Sequence, residues 1–254
     1  MTTEIRINDE LDLENPILIE GLAGIGHVGR NCVSYLADNL DAEKIGTIES
    51  HHLPPYTIVE DDKTLTPLQN KVYQMEVNNR DIIMIEGNAQ ASSAEGHYEI
   101  AHRVLDFADE IGAEEIITIG GYGKGDVVEE PEVFGAVTGQ EVQKDYSSYG
   151  ISFDHDVGQI VGISGLLLGL GKQRGKKGIA LLGETPGFLM SDPKSTEAVL
   201  QVMEKILEVD LDYSQLDDKV EESQEVLKKL QNLKGSQGEK EQSQQQSSDL
   251  GYIG

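Results

Sequence analysis

Apolar residues in the first half of the chain form short continuous runs that are separated by stretches with helical spacing. The runs around Ile17 and Ile82 are uninterrupted, which is typical of strands that are buried on both faces of a sheet. Between such runs, apolar side chains recur every three to four positions, as they do on one face of a helix. Strands that alternate with helices predict an α/β fold with a mostly parallel sheet and helices on both faces.

The pattern predicts most elements of the body and their order. The predicted strands are 17–20, 44–49, 57–59, 71–77, 81–86, 115–120, 132–138 and 179–183, and the predicted helices are 28–40, one around 100–111, one that begins near Gly162 and one that begins near Pro193. We interpret the short strands 57–59 and 71–77 as a hairpin at the sheet edge. Ser191-Asp192-Pro193 supplies a capping residue and a first-turn proline for the last of these helices.

The chain divides into three predicted regions: a core domain at 1–212, a helix at 213–234 and a tether at 235–254. Apolar positions of the helix alternate four and three residues apart, and the helix packs either on the body or on a partner helix. These core positions are Leu216, Val220, Ser223, Leu227 and Leu230, and serine occupies one of them. The tether is rich in Gln, Ser and Glu, so it is predicted to be disordered. Hydrophobic and aromatic residues return at its tip, which is either a docking peptide or a frayed end.

Acidic residues far outnumber basic ones, with 46 Asp and Glu against 20 Lys and Arg and a formal charge of −26. This balance argues against binding to nucleic acid or to an anionic membrane, because both need a cationic surface. The acids are spread along the chain, which is similar to proteins from halophile-like proteomes, although an acidic mesophilic protein fits the same composition. No run is long enough to span a bilayer, so a cytoplasmic location is expected.

The sequence assigns no catalytic, cofactor-binding or metal-binding residue. Its one cysteine, Cys32, excludes an intrachain disulfide, and the six histidines have no zinc-ligand spacing. With so many carboxylates, a catalytic pair cannot be distinguished from chance. The protein is therefore expected not to be an enzyme.

A glycine-rich turn, Gly24-Ile-Gly26-His-Val-Gly29, follows the first core strand and opens a helix. This pattern is shared by dinucleotide-binding turns and by tight strand-to-helix turns that hold no ligand. A second polar cluster, Glu184-Thr185-Pro186-Gly187, follows another buried strand. The two clusters form a candidate pocket, with Gly24, Gly26, Gly29, Glu184 and Thr185 on opposite walls.

Four segments in this order resemble the proteasome assembly chaperone family, particularly its archaeal members. They are Glu20 to Gly29, Glu86-Gly87-Asn88-Ala89-Gln90, Ile119-Gly120-Gly121-Tyr122-Gly123 and Leu182-Gly183-Glu184-Thr185-Pro186-Gly187. The resemblance extends over about residues 17–230. It implies a nucleoside-phosphorylase-like α/β domain without catalytic apparatus, which forms homo-oligomers and binds proteasome α subunits or the core particle.

The resemblance also implies a role for the C-terminus. Family members often end in a hydrophobic residue, a tyrosine and one further residue that insert between neighbouring α subunits. This chain ends Leu250-Gly251-Tyr252-Ile253-Gly254, so its tyrosine is third from the end rather than second. The expected protein-binding residues are Leu250, Tyr252, Ile253 and Gly254. The alternative function is a small-molecule or nucleotide-binding α/β protein, such as a hydrolase or transferase, that uses the glycine-rich turn.

Overall fold

The computed structural model describes residues 3–214, 216, 219 and 220 of the chain. The chain divides after Asp212, and the unit Met1–Asp212 carries the fold described below. In the predicted helix at 213–234, residues 214, 216, 219 and 220 are helical, and its other positions lie outside the described residues. The predicted tether and its terminal peptide also lie outside them.

Ten strands, five α-helices and one short 3-10 helix (Ile25–His27) make up the described body. In chain order the strands and α-helices are β1 (Thr3–Ile7), β2 (Ile17–Leu22), α1 (Val28–Asn39), β3 (Glu43–Ser50), β4 (Thr57–Val59), β5 (Leu65–Pro67), β6 (Asn70–Val77), β7 (Arg80–Gly87), α2 (Ala94–Glu110), β8 (Glu115–Gly123), β9 (Val133–Val137), α3 (Gln140–Tyr146), α4 (Ile163–Gln173), β10 (Lys177–Thr185) and α5 (Pro193–Leu207).

Eight strands form one mixed sheet in the order β1-β3-β6-β7-β2-β8-β10-β9. The four central strands, β7, β2, β8 and β10, run parallel, and the outer strands pair antiparallel. All six residues of β2 are buried, as are most residues of β7 and β10. This burial explains the continuous apolar runs, because the central strands have no solvent-facing side.

The helices lie in two groups on the two faces of the sheet. On one face, α1 packs on β2 and β8 and against α5; on the other, α2 and α4 pack together and α4 packs on β8 and β10. Leu18, Ile83 and Ile116 point into the core cluster with α2 and α4, so their strand neighbours point to the opposite face. The predicted α/β fold with helices on both faces is confirmed.

Two loops end where a side chain can cap the first turn of the next helix. The Ser93 side chain accepts a hydrogen bond from the backbone N–H of Gly96 at 3.1 Å and caps α2. The Asp192 side chain accepts one from the N–H of Ser195 at 3.0 Å and caps α5, with Pro193 as its first residue. The predicted cap and proline of α5 are thus confirmed, and each cap satisfies an amide that has no partner within its helix.

The predicted edge hairpin is wrong. Strand β6 pairs with β3 and β7 inside the main sheet, and β4 pairs with β5, a strand that the sequence pattern did not predict. Because β6 carries the buried residues Val72 and Met75, it belongs to the core rather than to an edge. The strand β1 and the helix α3 were also not predicted, since each is short and has few apolar positions.

Candidate functional site

The central sheet opens between β2 and β8 at its carboxyl end. Pairing between these two strands stops at Glu20 and Thr118. Beyond that point β2 stays with β7 as far as Leu22, and β8 stays with β10 as far as Gly123. After β2 the chain continues to strands on one side of the sheet, and after β8 it continues to strands on the other side. In open α/β sheets, this change of direction is where ligand crevices form.

The glycine-rich turn and the start of α1 fill one face of this opening. A Cβ atom at Gly29 would overlap the carbonyl oxygen of Ile119 in β8, and a Cβ at Gly121 would overlap that of Ile25. Gly26 has a φ of 61°, in the left-handed region, and a Cβ there would lie 3.0 Å from Oγ1 of Thr185. The glycines therefore allow the turn to lie directly against the ends of β8 and β10.

The Gln90 side chain connects the two sides of the opening. Its Nε2 donates to the carbonyl oxygen of Ala23 at 3.0 Å, and its Oε1 accepts from the backbone N–H of Ile163 at 3.0 Å. The amide thus joins the turn after β2 to the first residue of α4. Both ends of a neutral amide are needed for this bridge, because one contact requires a donor and the other an acceptor.

A cleft of about 570 Å³ lies on the α2 and α4 face of the opening. Its walls come from the ends of β2, β8 and β10, from the loop 157–162 and from the first turns of α2 and α4. The polar side chains at the cleft include Gln90, His97 and Ser164. Among the described residues that line it, none is Lys, Arg, Asp or Glu. The cleft is therefore largely apolar, with a small number of uncharged hydrogen-bonding groups.

Glu20 lies in the wall beside this cleft and is fully buried. Neither carboxyl oxygen has a hydrogen-bond partner of ordinary geometry among the described residues. Burial raises the pKa of Glu20 to about 7, and smaller opposing effects come from the Ser164 hydroxyl and the Leu22 backbone. A carboxyl that is surrounded by apolar side chains holds its proton more tightly because the charged form loses its hydration.

Two further glutamates at strand ends are paired with cations. Glu86, at the end of β7, lies 3.4 Å from Nε of Arg30 and 3.5 Å from Nζ of Lys71. Glu184, at the end of β10, lies 2.8 Å from Nζ of Lys124 and also accepts from the backbone N–H of Glu132. Both carboxylates are thereby held in structural contacts.

Large apolar side chains are exposed around the mouth of the cleft. Ile25 and Val161 line the cleft, and Phe188 and Met190 follow β10 in the adjoining loop. Val161 is 80% exposed and Met190 is 82% exposed. The loop after β10 adjoins the cleft at Gly187, where a Cβ would lie 4.0 Å from Cγ2 of Ile25. Neighbouring exposed apolar side chains are a feature of protein-binding surfaces.

Comparison with known proteins gives the family of this chain. Residues 18–231 match the PAC2 family. The chain belongs to the PAC2 family. An uncharacterized protein of Methanocaldococcus jannaschii is 34% identical to this PAC2 protein over 250 residues, covering 98% of this chain and 96% of the relative. The family membership that the four strand-end segments indicated is thus confirmed.

Solved PAC2-like structures include two from Pyrococcus furiosus. PbaB, an archaeal proteasome activator, is 36% identical, with a TM-score of 0.86 over 91% of this chain and 100% of PbaB. PbaA, an archaeal homolog of proteasome-assembly chaperone, is 28% identical, with a TM-score of 0.75 over 97% of this chain and 99% of PbaA. The whole described body therefore follows the fold of these proteins.

The five residues of the candidate pocket do not lie on opposite walls of the cleft in the described structure. Gly24 lines the cleft. Gly26 lies against Thr185, and Gly29 lies against β8, so these glycines pack the turn onto the sheet. Glu184 and Thr185 are buried at the end of β10, where Thr185 lies against Gly26 and Glu184 contacts Lys124 and the backbone N–H of Glu132. The predicted peptide residues Leu250, Tyr252, Ile253 and Gly254 lie outside the described residues.

Sequence reasoning did not select Gln90, Ser164 or Glu20 for the site. Gln90 stood in one of the four family-like segments but had no assigned role. Glu20 had a usable signal, since it is an acid in an apolar run that was predicted to be buried. Ser164 had none, because its place beside Glu20 depends on how α4 packs on the sheet. In the described part of the chain, no cluster of His, Cys, Asp and Glu is arranged to hold a metal, and no helix could span a membrane.

Proposed function

We propose that this PAC2 protein is a non-enzymatic chaperone or adaptor of the proteasome that binds α subunits or rings as a homo-oligomer in the cytoplasm. The observation that carries the proposal is the likeness to PbaB, which extends over the whole of that proteasome activator at more than one third identity. The likeness to PbaA, a homolog of proteasome-assembly chaperone, supports the same class of function. Fold alone hosts many functions, so the identity carries more weight than the topology.

The polar groups of the site favour a binding role over a catalytic one. Glu86 and Glu184 are engaged by Arg30, Lys71 and Lys124. The thiol of Cys32 is buried, and this burial raises its pKa, which keeps it protonated and unreactive. The exposed apolar side chains beside the cleft offer a protein contact surface on the body. These features suit an adaptor that acts through contacts.

The predicted terminal peptide, Leu250 to Gly254, is the second proposed contact. Its hydrophobic and tyrosine side chains resemble the docking ends of the family, in a register shifted by one residue. Single short peptides bind modestly, but several linked through one oligomer gain affinity because later binding events become intramolecular. The proposal therefore assigns affinity for the α ring mainly to the tails.

We expect a chain that ends at Lys234 to bind proteasome α rings at least about a hundredfold more weakly than the full chain, since it loses every tail contact at once. Surface plasmon resonance with immobilised α rings measures this difference. Tyr252→Ala in the full chain is expected to give much of the loss, whereas Ser248→Ala, in the tether, leaves the affinity unchanged. Equal binding by the full and shortened chains would place the contact on the body and refute the role of the tail.

We also propose that the excess acid makes the fold depend on salt, as the resemblance to halophile-like proteins suggests. Screening shortens the reach of charge repulsion from about 10 Å at 0.1 M salt to about 3 Å at 1 M. The thermal midpoint followed by circular dichroism is therefore expected to rise by several degrees over this range of NaCl. Sucrose of equal osmolality, which does not screen charge, serves as the control. A midpoint that is the same at both salt concentrations contradicts the proposal.

The alternative, a nucleotide-binding protein that uses the glycine-rich turn, has less support. Gly26 and Gly29 have packing reasons to be glycine. The described residues that line the cleft include no Lys or Arg, which phosphate groups of nucleotides usually require. The cleft itself still needs an explanation.

A further inference from the structure

The cleft beside β2 and β8 has the size and position of a small-molecule site. Its volume of about 570 Å³ lies within the range of about 300–1,000 Å³ that is usual for ligand pockets. It lies where the central sheet opens between strands whose connections run in opposite directions. Neither feature is needed for binding a proteasome, so a ligand in this cleft is a property beyond the proposed function.

Hydrogen-bonding side chains belong to five of the residues that line the cleft: Gln90, His97, Tyr122, Gln159 and Ser164. Gln90 uses one N–H and one lone pair in its bridge, which leaves one N–H and one lone pair. His97 approaches the carbonyl oxygen of Ser93 at 2.7 Å through Nδ1. A carbonyl only accepts, so Nδ1 donates in this contact, and Nε2 is the ring nitrogen that the contact does not use. Donors and acceptors are thus both available.

Ser164 connects the cleft to the buried carboxyl of Glu20. Ser164 lines the cleft, and its hydroxyl lies near enough to Glu20 to lower the pKa of that carboxyl slightly against the effect of burial. Both oxygens of Glu20 lack a partner of ordinary geometry in the described structure. A polar pair of this kind is costly inside an apolar core, and its presence beside a cavity is typical of a ligand site.

The other lining residues indicate the chemistry of the remaining part of the ligand. Leu22, Ile160 and Leu182 present apolar side chains, and Gly120 presents a flat peptide surface with no side chain. A charged ligand would find no Lys, Arg, Asp or Glu among the described lining residues. An anion would also enter against the formal charge of −26. Size, lining and charge together favour an uncharged molecule with an apolar ring or chain.

We propose that this cleft binds a small uncharged molecule that joins an apolar ring or chain to a primary carboxamide. A carboxamide presents one acceptor oxygen and two N–H donors, which matches the mixed capacity of Gln90, His97 and Ser164. The apolar part lies over Gly120 and Leu182. Neither catalysis nor a covalent step is involved.

Benzamide is a suitable probe, and benzoate is its matched control because it has the same shape with a negative charge. Saturation-transfer NMR with the full-length chain measures both at millimolar concentration. The blocking variant is Gly120→Leu, because a Cβ at Gly120 meets only Leu182 Cδ2, at 3.5 Å, so the added side chain can enter the cleft without striking the backbone. Gly169→Leu adds the same group at an exposed site on α4 with no atom within 4 Å of its Cβ.

We expect transfer to benzamide with the wild-type chain and Gly169→Leu, and at least a tenfold loss of affinity in Gly120→Leu. Ser164→Ala, which leaves the cleft volume nearly unchanged, is expected to weaken benzamide severalfold and serves as the second variant if Gly120→Leu does not fold. Absence of benzamide binding overturns the proposal, and so does equal binding by Gly120→Leu and by its control Gly169→Leu. Benzoate that binds as well as benzamide would also overturn it.

Discussion

Gly29→Ala is expected to destabilise the protein by about 3 kcal/mol or more, although Gly29 lies in a helix where alanine is normally favoured by up to about 1 kcal/mol. A Cβ at this position would lie closer than 3.0 Å to the carbonyl oxygen of Ile119, in the backbone of a central strand. The strand cannot move without disturbing its pairing with β10. The steric cost therefore exceeds the gain in helix propensity.

Gly169→Ala is the matched control for this result. Gly169 also lies inside a helix, α4, but its Cβ would meet no atom within 4 Å. It is expected to stabilise the protein by about 1 kcal/mol. Thermal unfolding should show a midpoint about 6–12 °C lower for Gly29→Ala and slightly higher for Gly169→Ala. The same sign for both variants contradicts the close packing of the turn on β8.

Glu20→Gln is expected to stabilise the protein at pH 8 by on the order of 3 kcal/mol, with little effect near pH 4.5. Burial raises the pKa of Glu20 from its ordinary value of 4.5 to about 7. Between these values the folded chain holds the proton that the unfolded chain has lost, so the wild type loses stability as pH rises through this window. Each pKa unit is worth about 1.4 kcal/mol, and the variant, which cannot ionise, avoids the loss.

Urea unfolding of the wild type and of Glu20→Gln between pH 4.5 and pH 8 measures this effect. The difference between their free energies of unfolding is expected to grow with pH. The difference removes the contribution of the many other carboxylates, which both chains share. Glu43→Gln replaces an exposed glutamate of β3 and is expected to follow the wild type throughout. Parallel profiles for the wild type and Glu20→Gln would mean that Glu20 ionises as freely in the folded protein as in the unfolded chain.

The central strands could be predicted from sequence because strands that are buried on both faces consist of nearly continuous apolar residues. Ile82 to Ile85 and Ile116 to Ile119 have no polar alternation, and the structure buries them between two layers of helices. The position of β6 could not be predicted in this way. Its pairing with β3 and β7 depends on contacts across the sheet, and its mixed pattern fits either an edge or an interior strand.

The candidate site, like the fold, could be predicted from sequence only in part. The four strand-end segments could be recognised by their likeness to a known family. They were expected near one another because parallel strands bring their carboxyl ends to one edge of the sheet. Which side chains share a cavity was not predictable. Gln90 reaches Ala23 and Ile163 across 67 and 73 positions of sequence, and no local pattern records such contacts. Gly26 and Gly29 had a recognisable turn pattern, yet it was the packing against β8 and β10 that showed their role.

The measurement that tests the central proposal most directly is sedimentation velocity of the full-length chain mixed with purified proteasome α rings from the same organism, at low and at molar salt. The account predicts that the chain sediments with the rings, as a complex heavier than either component, in at least the molar salt. Separate sedimentation of chain and rings under both conditions would contradict a proteasome-associated role for this PAC2 protein.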